Sequence, residues 1–457
     1  MVFNSLNFLY FITAVLILYW SFKNERDRNV FLLLSSYFFY IQWEWKYLFL
    51  ILISSSVDFL CAKKIYSSKH KKLFLSISIL VNIGILFVFK YYNFFVESFI
   101  KLFGVNDISN IITLNLILPI GISFYTFQTL SYSIDVYNNK IRPENNVTDF
   151  FLYVSFFPQL VAGPIERAGY LIKELKKKKI VNRKLIDMGL TLILIGLFKK
   201  IVIADNLAYF VDDIFLNYNN YNGGVLMLGL VYFSFQIYCD FSGYTDIAIG
   251  ISRLLGIELN INFNFPYHAK NISEFWKRWH ISLSTWFRDY VYIPLGGSKF
   301  SKTKTYRNLF IVFFISGLWH GANLTFIFWG LYHVLLYLMW MLLKQFFRFK
   351  SHFFIFLSIL YTYITVTIGW VFFRAESISN AIDYLKLMLS DISFPNELRS
   401  AIIYVIMIFV LDLILKTSPK DVLKGLSFNK RMIFNSIIYI LIILFYTEGG
   451  NFIYFRF

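Results

Sequence analysis

Two histidines stand among residues that suit acyl chemistry. His280 lies in Phe275-Trp-Lys-Arg-Trp-His280-Ile-Ser-Leu-Ser-Thr-Trp-Phe-Arg-Asp-Tyr290, and His320 in Ser316-Gly-Leu-Trp-His320-Gly-Ala-Asn323. An imidazole, with an unperturbed pKa of about 6.5, can take a hydroxyl proton at neutral pH. Moving an acyl group from a thioester to an alcohol needs that base, an aligned hydroxyl and donors for the oxyanion. Other chemistries lack their residues. Cys61 and Cys239 lie far apart in apolar sequence, with no CxxC and no His/Cys spacing for zinc. There is no G-x-S-x-G elbow and no phosphate loop. No aspartate follows a histidine at the spacing used by soluble-faced glycerolipid acyltransferases.

The elements that must position these histidines are membrane helices. A chain of 457 residues that is 58% hydrophobic, 21% aromatic and 16% charged departs from the usage of soluble enzymes. Apolar stretches of spanning length recur at residues 5–22, 46–62, 73–99, 111–134, 186–204, 224–251, 353–373, 401–415 and 432–445. Residues 30–43 form a shorter one, which spans with tilt or local thinning. The first stretch has no basic n-region and no A-x-A exit, and Lys23, Arg26 and Arg28 follow it directly, so it reads as an uncleaved anchor.

A net charge of +17 raises the question of nucleic acid, and the placement of the basic residues answers it. With the N-terminus outside, the basic loops at 23–28, 63–72, 173–184, 299–307, 344–350 and 416–431 all face the cytoplasm. Loop 205–223 has three aspartates and no Lys or Arg, and 374–399 has four acids against three bases. This is the positive-inside pattern, with about twelve spans, both termini outside and no nucleic-acid partner. No internal repeat is evident, so residues 1–457 read as one domain, with 432–457 forming a last span and an extracytoplasmic aromatic tail.

Three places break the spanning rhythm. Residues 150–164 (FFLYVSFFPQLVAGP) are apolar but short and end in Pro158, Gly163 and Pro164, which suits a re-entrant segment buried in protein. Residues 275–294 are aromatic and basic together. On one helix Trp276, His280, Leu283 and Phe287 would share a face, with Lys277, Arg278 and Arg288 reaching the interface. The third break is at His320. Residues 309–343 are almost continuously apolar, and as one helix they would measure roughly 52 Å against a hydrocarbon core of about 30 Å. Gly317, Gly321 and Asn323 bracket His320, so a turn or helix break is expected there.

Each residue also has a plainer reading. His320 could be a structural histidine bonded to a carbonyl, and His280 could orient its segment. His333 lies thirteen residues beyond His320 on another helical face and reads as packing. His70, His268 and His352 lie in loops and carry no assigned role. Asp58, Asp135, Asp240 and Asp246 are intramembrane or edge carboxylates, more often paired in structure than lining a hydrophilic path. Asn323 could bond near a reacting carbonyl or cap the helix after the break. Trp319 and Trp276, beside the two histidines, are candidates to line a substrate site, and Asp240 joins them as a polar candidate.

The chain resembles the membrane-bound O-acyltransferases, in particular the bacterial branch of alginate O-acetylase and the membrane component of peptidoglycan O-acetylation. The D-alanyl transfer proteins of teichoic acids are more distant cousins. The resemblance rests on 124–136 (FYTFQTLSYSIDV), 156–167 (FFPQLVAGPIER), 196–206 (GLFKKIVIADN), 238–256 (YCDFSGYTDIAIGISRLLG), 262–297 and 316–330, in the same order. It implies an all-α polytopic fold with re-entrant segments around a tunnel joining the two membrane faces. It implies His320 as the catalytic histidine and His280 as the second active-site histidine. It also implies cytosolic acetyl-CoA as donor with no bound cofactor, and an acceptor reached from outside through a separate extracytoplasmic transferase or accessory proteins.

The sequence ends Gly449-Gly-Asn-Phe-Ile-Tyr454-Phe-Arg-Phe457. Such an aromatic ending suits interfacial anchoring. Similar endings recur in that branch, and the Tyr454 hydroxyl could accept the acyl group for hand-over. The expectation is therefore an O-acetyltransferase of the bacterial cytoplasmic membrane, in contact with membrane lipid and serving an extracytoplasmic polysaccharide. Heavy use of Ile, Lys, Asn, Phe and Tyr leans toward peptidoglycan over alginate. The alternatives are a transporter of acetyl groups or glycan precursors, which would not turn over a thioester, and a lipid O-acyltransferase, which would use a membrane-lipid acceptor.

Overall fold

The computed structural model describes residues 1–103, 113–114, 116–345, 351–395, 397–415, 426–447 and 452–453. Every regular element among them is helical. Among the described residues four helices are long and apolar enough to cross a membrane: Lys71–Phe103, Gly223–Leu254, Leu324–Leu343 and His352–Arg374. Other expected spans correspond to shorter helices, such as Leu6–Ser21, Ile402–Leu415 and Phe428–Leu444. In the apolar stretch expected to span from 111, the described helix starts at Ile122. Pro119 precedes that start and Gly121 takes a left-handed φ of 78°, with its missing Cβ facing the Leu160 carbonyl.

The chain divides into two compact units, Met1–Gly189 with Ile251–Asn260, and Leu190–Gly250 with Ile261–Phe457. In the first, the helices Leu48–Ser67, Lys71–Leu86 and Ile122–Tyr137 enclose a buried polar cluster. The Asp58 carboxylate accepts from Ser78, from Asn82 at 2.8 Å and from Ser133 at 3.2 Å. Asp135 pairs with Lys140 at 3.2 Å, so both carboxylates have the structural partners a low-dielectric site demands. The break at 150–164 is a helix Val147–Ser155 followed by the single turn Phe157–Leu160, and Phe156, Phe157 and Ala162 are fully buried. Glu166 accepts from both the backbone and the side-chain nitrogen of Asn260, at 2.5 and 2.7 Å.

The second unit holds His280, His320 and His333. Its longest helix, Gly223–Leu254, begins there, and the helix Arg183–Leu197 continues into it as a π-helical stretch, Phe198–Asp205. Gly196 and Gly243 let these two backbones meet. A Cβ on Gly196 would lie 2.5 Å from the Gly243 carbonyl, and one on Gly243 would lie 2.7 Å from the Gly196 carbonyl. In lipid, where packing replaces the hydrophobic effect between helices, such close approach is a main source of association.

Candidate active site

His320 is the last residue of the helix Lys302–His320. Gly321 is extended, and Asn323 caps the next helix, Leu324–Leu343, by accepting from the Thr325 amide at 3.0 Å. The Asn323 amide nitrogen donates to the Glu376 carbonyl at 3.0 Å, so both halves of this side chain hold the break in place. The long apolar run is therefore two helices that double back on each other. Gly317 lies inside the first helix rather than at the break, and its role is close approach. A Cβ there would overlap the Phe326 carbonyl, and one on Gly330 would overlap the Phe313 carbonyl.

His280 is positioned differently from the single helical face expected for residues 275–287. The helix stops at Arg278, His280 adopts a left-handed φ of 41°, and a new helix, Ile281–Phe287, begins. A neighbouring segment holds that turn. The Ile281 amide donates to the Asn262 carbonyl at 2.9 Å, the Ser282 amide to Asn262 Oδ1 at 3.2 Å, and the Asn264 amide to the Arg278 carbonyl at 2.9 Å. Left-handed backbone is costly for a residue with a Cβ and persists where its surroundings fix it. Trp276 and His280 consequently leave a common helical row.

An aromatic wall joins the histidines. His280 is 1% and His320 3% exposed. Trp319 contacts both rings, at centroid distances of 5.9 Å to His280 and 5.0 Å to His320. Trp329 and Phe373 meet His320 edge-on at 4.9 and 5.3 Å. Trp329 continues to His333 at 4.9 Å, and Trp276 contacts His333 at 5.0 Å and Trp329 at 5.8 Å. His333 stacks on Phe275, consistent with packing. Edge-to-face contacts of this kind fix the plane of an imidazole while excluding water. Chemically, the arrangement offers two oriented imidazoles with an indole between them. Among the described residues no group of three or more His, Cys, Asp or Glu side chains is arranged to hold a metal ion.

Of the remaining expected residues, Asp240 adjoins Phe241, whose ring meets His280 at 4.7 Å. Asp240, beside it on the helix Gly223–Leu254, is paired through Oδ1 with Lys200 at 2.7 Å and accepts through Oδ2 from the backbone amide of Ile453 at 2.6 Å. Lys200 also pairs with Asp205 at 2.8 Å, and Lys199 pairs with Asp246 at 2.7 Å. Tyr454 lies outside the described residues. Phe452, two residues earlier in the sequence, is 2% exposed and packs on Tyr244 at 4.7 Å and on Phe241 at 6.2 Å. Lys199 and Lys200 are not among the expected site residues, although two adjacent lysines inside an apolar stretch are themselves a cue, since intramembrane charges require partners. Trp329 and Phe373 had no cue beyond belonging to an apolar run.

The sequence profile of the MBOAT, membrane-bound O-acyltransferase family matches residues 141–382. The chain is 40% identical over 397 residues to the peptidoglycan O-acetyltransferase of Helicobacter pylori, covering 80% of this chain and 74% of that protein. It is 38% identical over 396 residues to the probable alginate O-acetylase AlgI of Pseudomonas aeruginosa, covering 85% and 75%. A teichoic acid D-alanyltransferase of Bacillus subtilis is 34% identical over 234 residues, covering 49% and 58%. His280, His320, Trp276, Trp319, Asn323 and Asp240 all fall inside the stretch matched by the family, and Tyr454 falls beyond it.

Proposed function

This chain belongs to the membrane-bound O-acyltransferase family, and from that premise we propose that it moves acetyl groups from cytosolic acetyl-CoA toward an extracytoplasmic polysaccharide, peptidoglycan ahead of an alginate-like exopolysaccharide. Membership makes it an O-acyltransferase of the membrane; the donor, the acceptor and the residue roles are the proposed part. The 40% identity to a peptidoglycan O-acetyltransferase supports the first acceptor. We take residues 1–457 as one domain of the bacterial cytoplasmic membrane, with about twelve spans around a tunnel and both termini outside. An extracytoplasmic transferase or accessory protein would receive the acetyl group, and acetyl-CoA acts as substrate rather than bound cofactor.

The observation that carries the reading is the position of His320, at the end of a helix against an extended glycine, with its ring held edge-on by Trp319, Trp329 and Phe373. In the proposed reaction His320 takes the proton of the acceptor hydroxyl as that oxygen attacks the thioester carbonyl carbon. The C–O bond forms and the carbonyl electron pair moves onto oxygen. On collapse the C–S bond breaks and the proton passes from the imidazolium to the leaving thiolate, giving an acetate ester and free CoA. His280, across Trp319, would position or polarise donor or acceptor, and Trp319 and Trp276 would wall the site. Asn323 orders the break. The Tyr454 hydroxyl is the proposed first acceptor, holding the acetyl group as an ester until hand-over.

The test is thioester turnover by the purified full chain reconstituted in lipid with labelled acetyl-CoA. His320→Ala should lower turnover by at least about 100-fold, the scale of general-base assistance, while the protein still inserts. Turnover within about tenfold of wild type would make His320 structural. Absence of turnover by the wild-type protein would remove the acetyl-CoA reading itself.

A further inference from the structure

The C-terminal segment is tied at two points, once directly and once through Asp240, to one short stretch. At Phe445, where the helix Phe428–Leu444 ends, the carbonyl accepts from Asn206 Nδ2 at 3.0 Å, and Asn206 Oδ1 accepts from the Tyr404 hydroxyl at 3.1 Å. At Ile453 the backbone amide donates to Asp240 Oδ2 at 2.6 Å. Asp240 is in turn held by Lys200, which stands between Asp240 at 2.7 Å and Asp205 at 2.8 Å. Lys200, Asp205 and Asn206 are close neighbours in sequence, and the first two lie in the π-helical stretch Phe198–Asp205. A π turn shifts the register of a helix and re-aims its side chains, and it recurs at functional positions.

We propose that Asp240 is a positioning residue for the C-terminal segment: its carboxylate, fixed by Lys200, pins the Ile453 amide and so seats Phe452 against the aromatic wall behind His280. The chemistry of the pair explains why a carboxylate is needed. A buried carboxylate has two oxygens to satisfy, and here one takes an ammonium and the other a backbone N–H. Both ion-pair partners are almost wholly shielded, with side-chain exposures of 5% for Lys200 and 4% for Asp240, so while the segment is seated neither charge is satisfied by water. The seated ring then lies one residue away from direct contact with a histidine. Phe452 packs on Phe241 at 6.2 Å, and Phe241 meets His280 edge-on at 4.7 Å. Two adjoining residues of one helix, Asp240 and Phe241, thus hold the segment and face the site, so a loosened segment and a disturbed His280 wall are coupled.

This inference rests on the acyltransferase reading for its effect on turnover, but its structural half stands alone. An amide at position 240 has one acceptor atom for two donors. In Asp240→Asn the oxygen turns to Lys200 and the NH2 group faces the Ile453 N–H. Ile453→Pro removes the N–H itself and leaves the ion cluster intact, whereas Ile453→Val keeps the N–H. Hydrogen exchange of the C-terminal peptide, followed by mass spectrometry on the full chain in lipid, should show the Ile453 amide protected in wild type and in Ile453→Val. In Asp240→Asn that protection should fall at least tenfold. Acetyl transfer by Asp240→Asn and by Ile453→Pro should fall at least tenfold in kcat, with the KM for the thioester donor within twofold of wild type. Rapid exchange at Ile453 in the wild-type protein, or unimpaired transfer in both released variants, overturns the proposal. A wild-type protein that shows protection but no thioester turnover refutes the acetyl-CoA reading and leaves the pinning of the segment established by exchange alone.

Discussion

At His280 the backbone takes a φ of 41°, while His320 ends a regular helix, so the two side chains are positioned by different means. A strained non-glycine position stores on the order of 1–3 kcal/mol and needs partners, which Asn262 supplies through its carbonyl and its Oδ1. Such a residue is suited to fixing a surface, whereas His320 is buried at a helix end with its ring held edge-on by Trp319, Trp329 and Phe373. Tyr454 can be tested at the same scale. Changing it to Phe keeps the aromatic ring and deletes only the hydroxyl, so glycan acetylation in cells should be lost if that oxygen relays the acetyl group; unchanged acetylation would leave it an interfacial anchor. His320 was legible from sequence because its break is local, spelled by Gly321 and Asn323 inside a run too long for one span. The conformation of His280 was not, because it depends on Asn262, eighteen residues away and outside any helical periodicity.

The helices explain how these side chains reach their places. The pair Lys302–His320 and Leu324–Leu343 packs backbone against backbone at Gly317 and Gly330, and Gly317 lies within one turn of His320. Gly317→Val should therefore open the crossing, costing about 1–3 kcal/mol, and should lower acetyl transfer together with thermal stability. Gly84→Val is the matching control, since nothing lies within 4 Å of a Cβ at Gly84. Equal melting temperatures for the two variants would show that the glycine contact does not shape the pair. Periodicity reveals helices but not their crossings, which is why Gly317 reads in sequence as part of a break. The same limit applies to Lys199 and Lys200. Their place in an apolar stretch announces partners, yet Asp246 and Asp240 become those partners only because Gly196 and Gly243 bring two helices together.

Over the whole molecule, composition and charge placement announce a membrane protein, and the family comparison and the apolar helices agree. Which residues face lipid is a matter of three-dimensional packing: only 17% of the apolar window of Lys71–Phe103 is buried, against 83% for Gly223–Leu254, although both are long apolar helices. The former helix also changes character along its length. Residues 73–89 carry no charge and amount to roughly 26 Å, close to one hydrocarbon thickness, and a π turn, Phe87–Tyr91, overlaps their end. Beyond it Asn93, Glu97 and Lys101 recur at every fourth position, one polar stripe opposite exposed Phe95, Phe99 and Leu102. The consequence is a depth gauge written into one helix: the bilayer should end near Lys90, and the final three turns should lie at the headgroup level. A nitroxide at Leu80 should then report deep immersion to oxygen and nickel relaxation agents, and one at Phe99 a shallow position; equal depths would mean that the helix crosses without regard to its π turn.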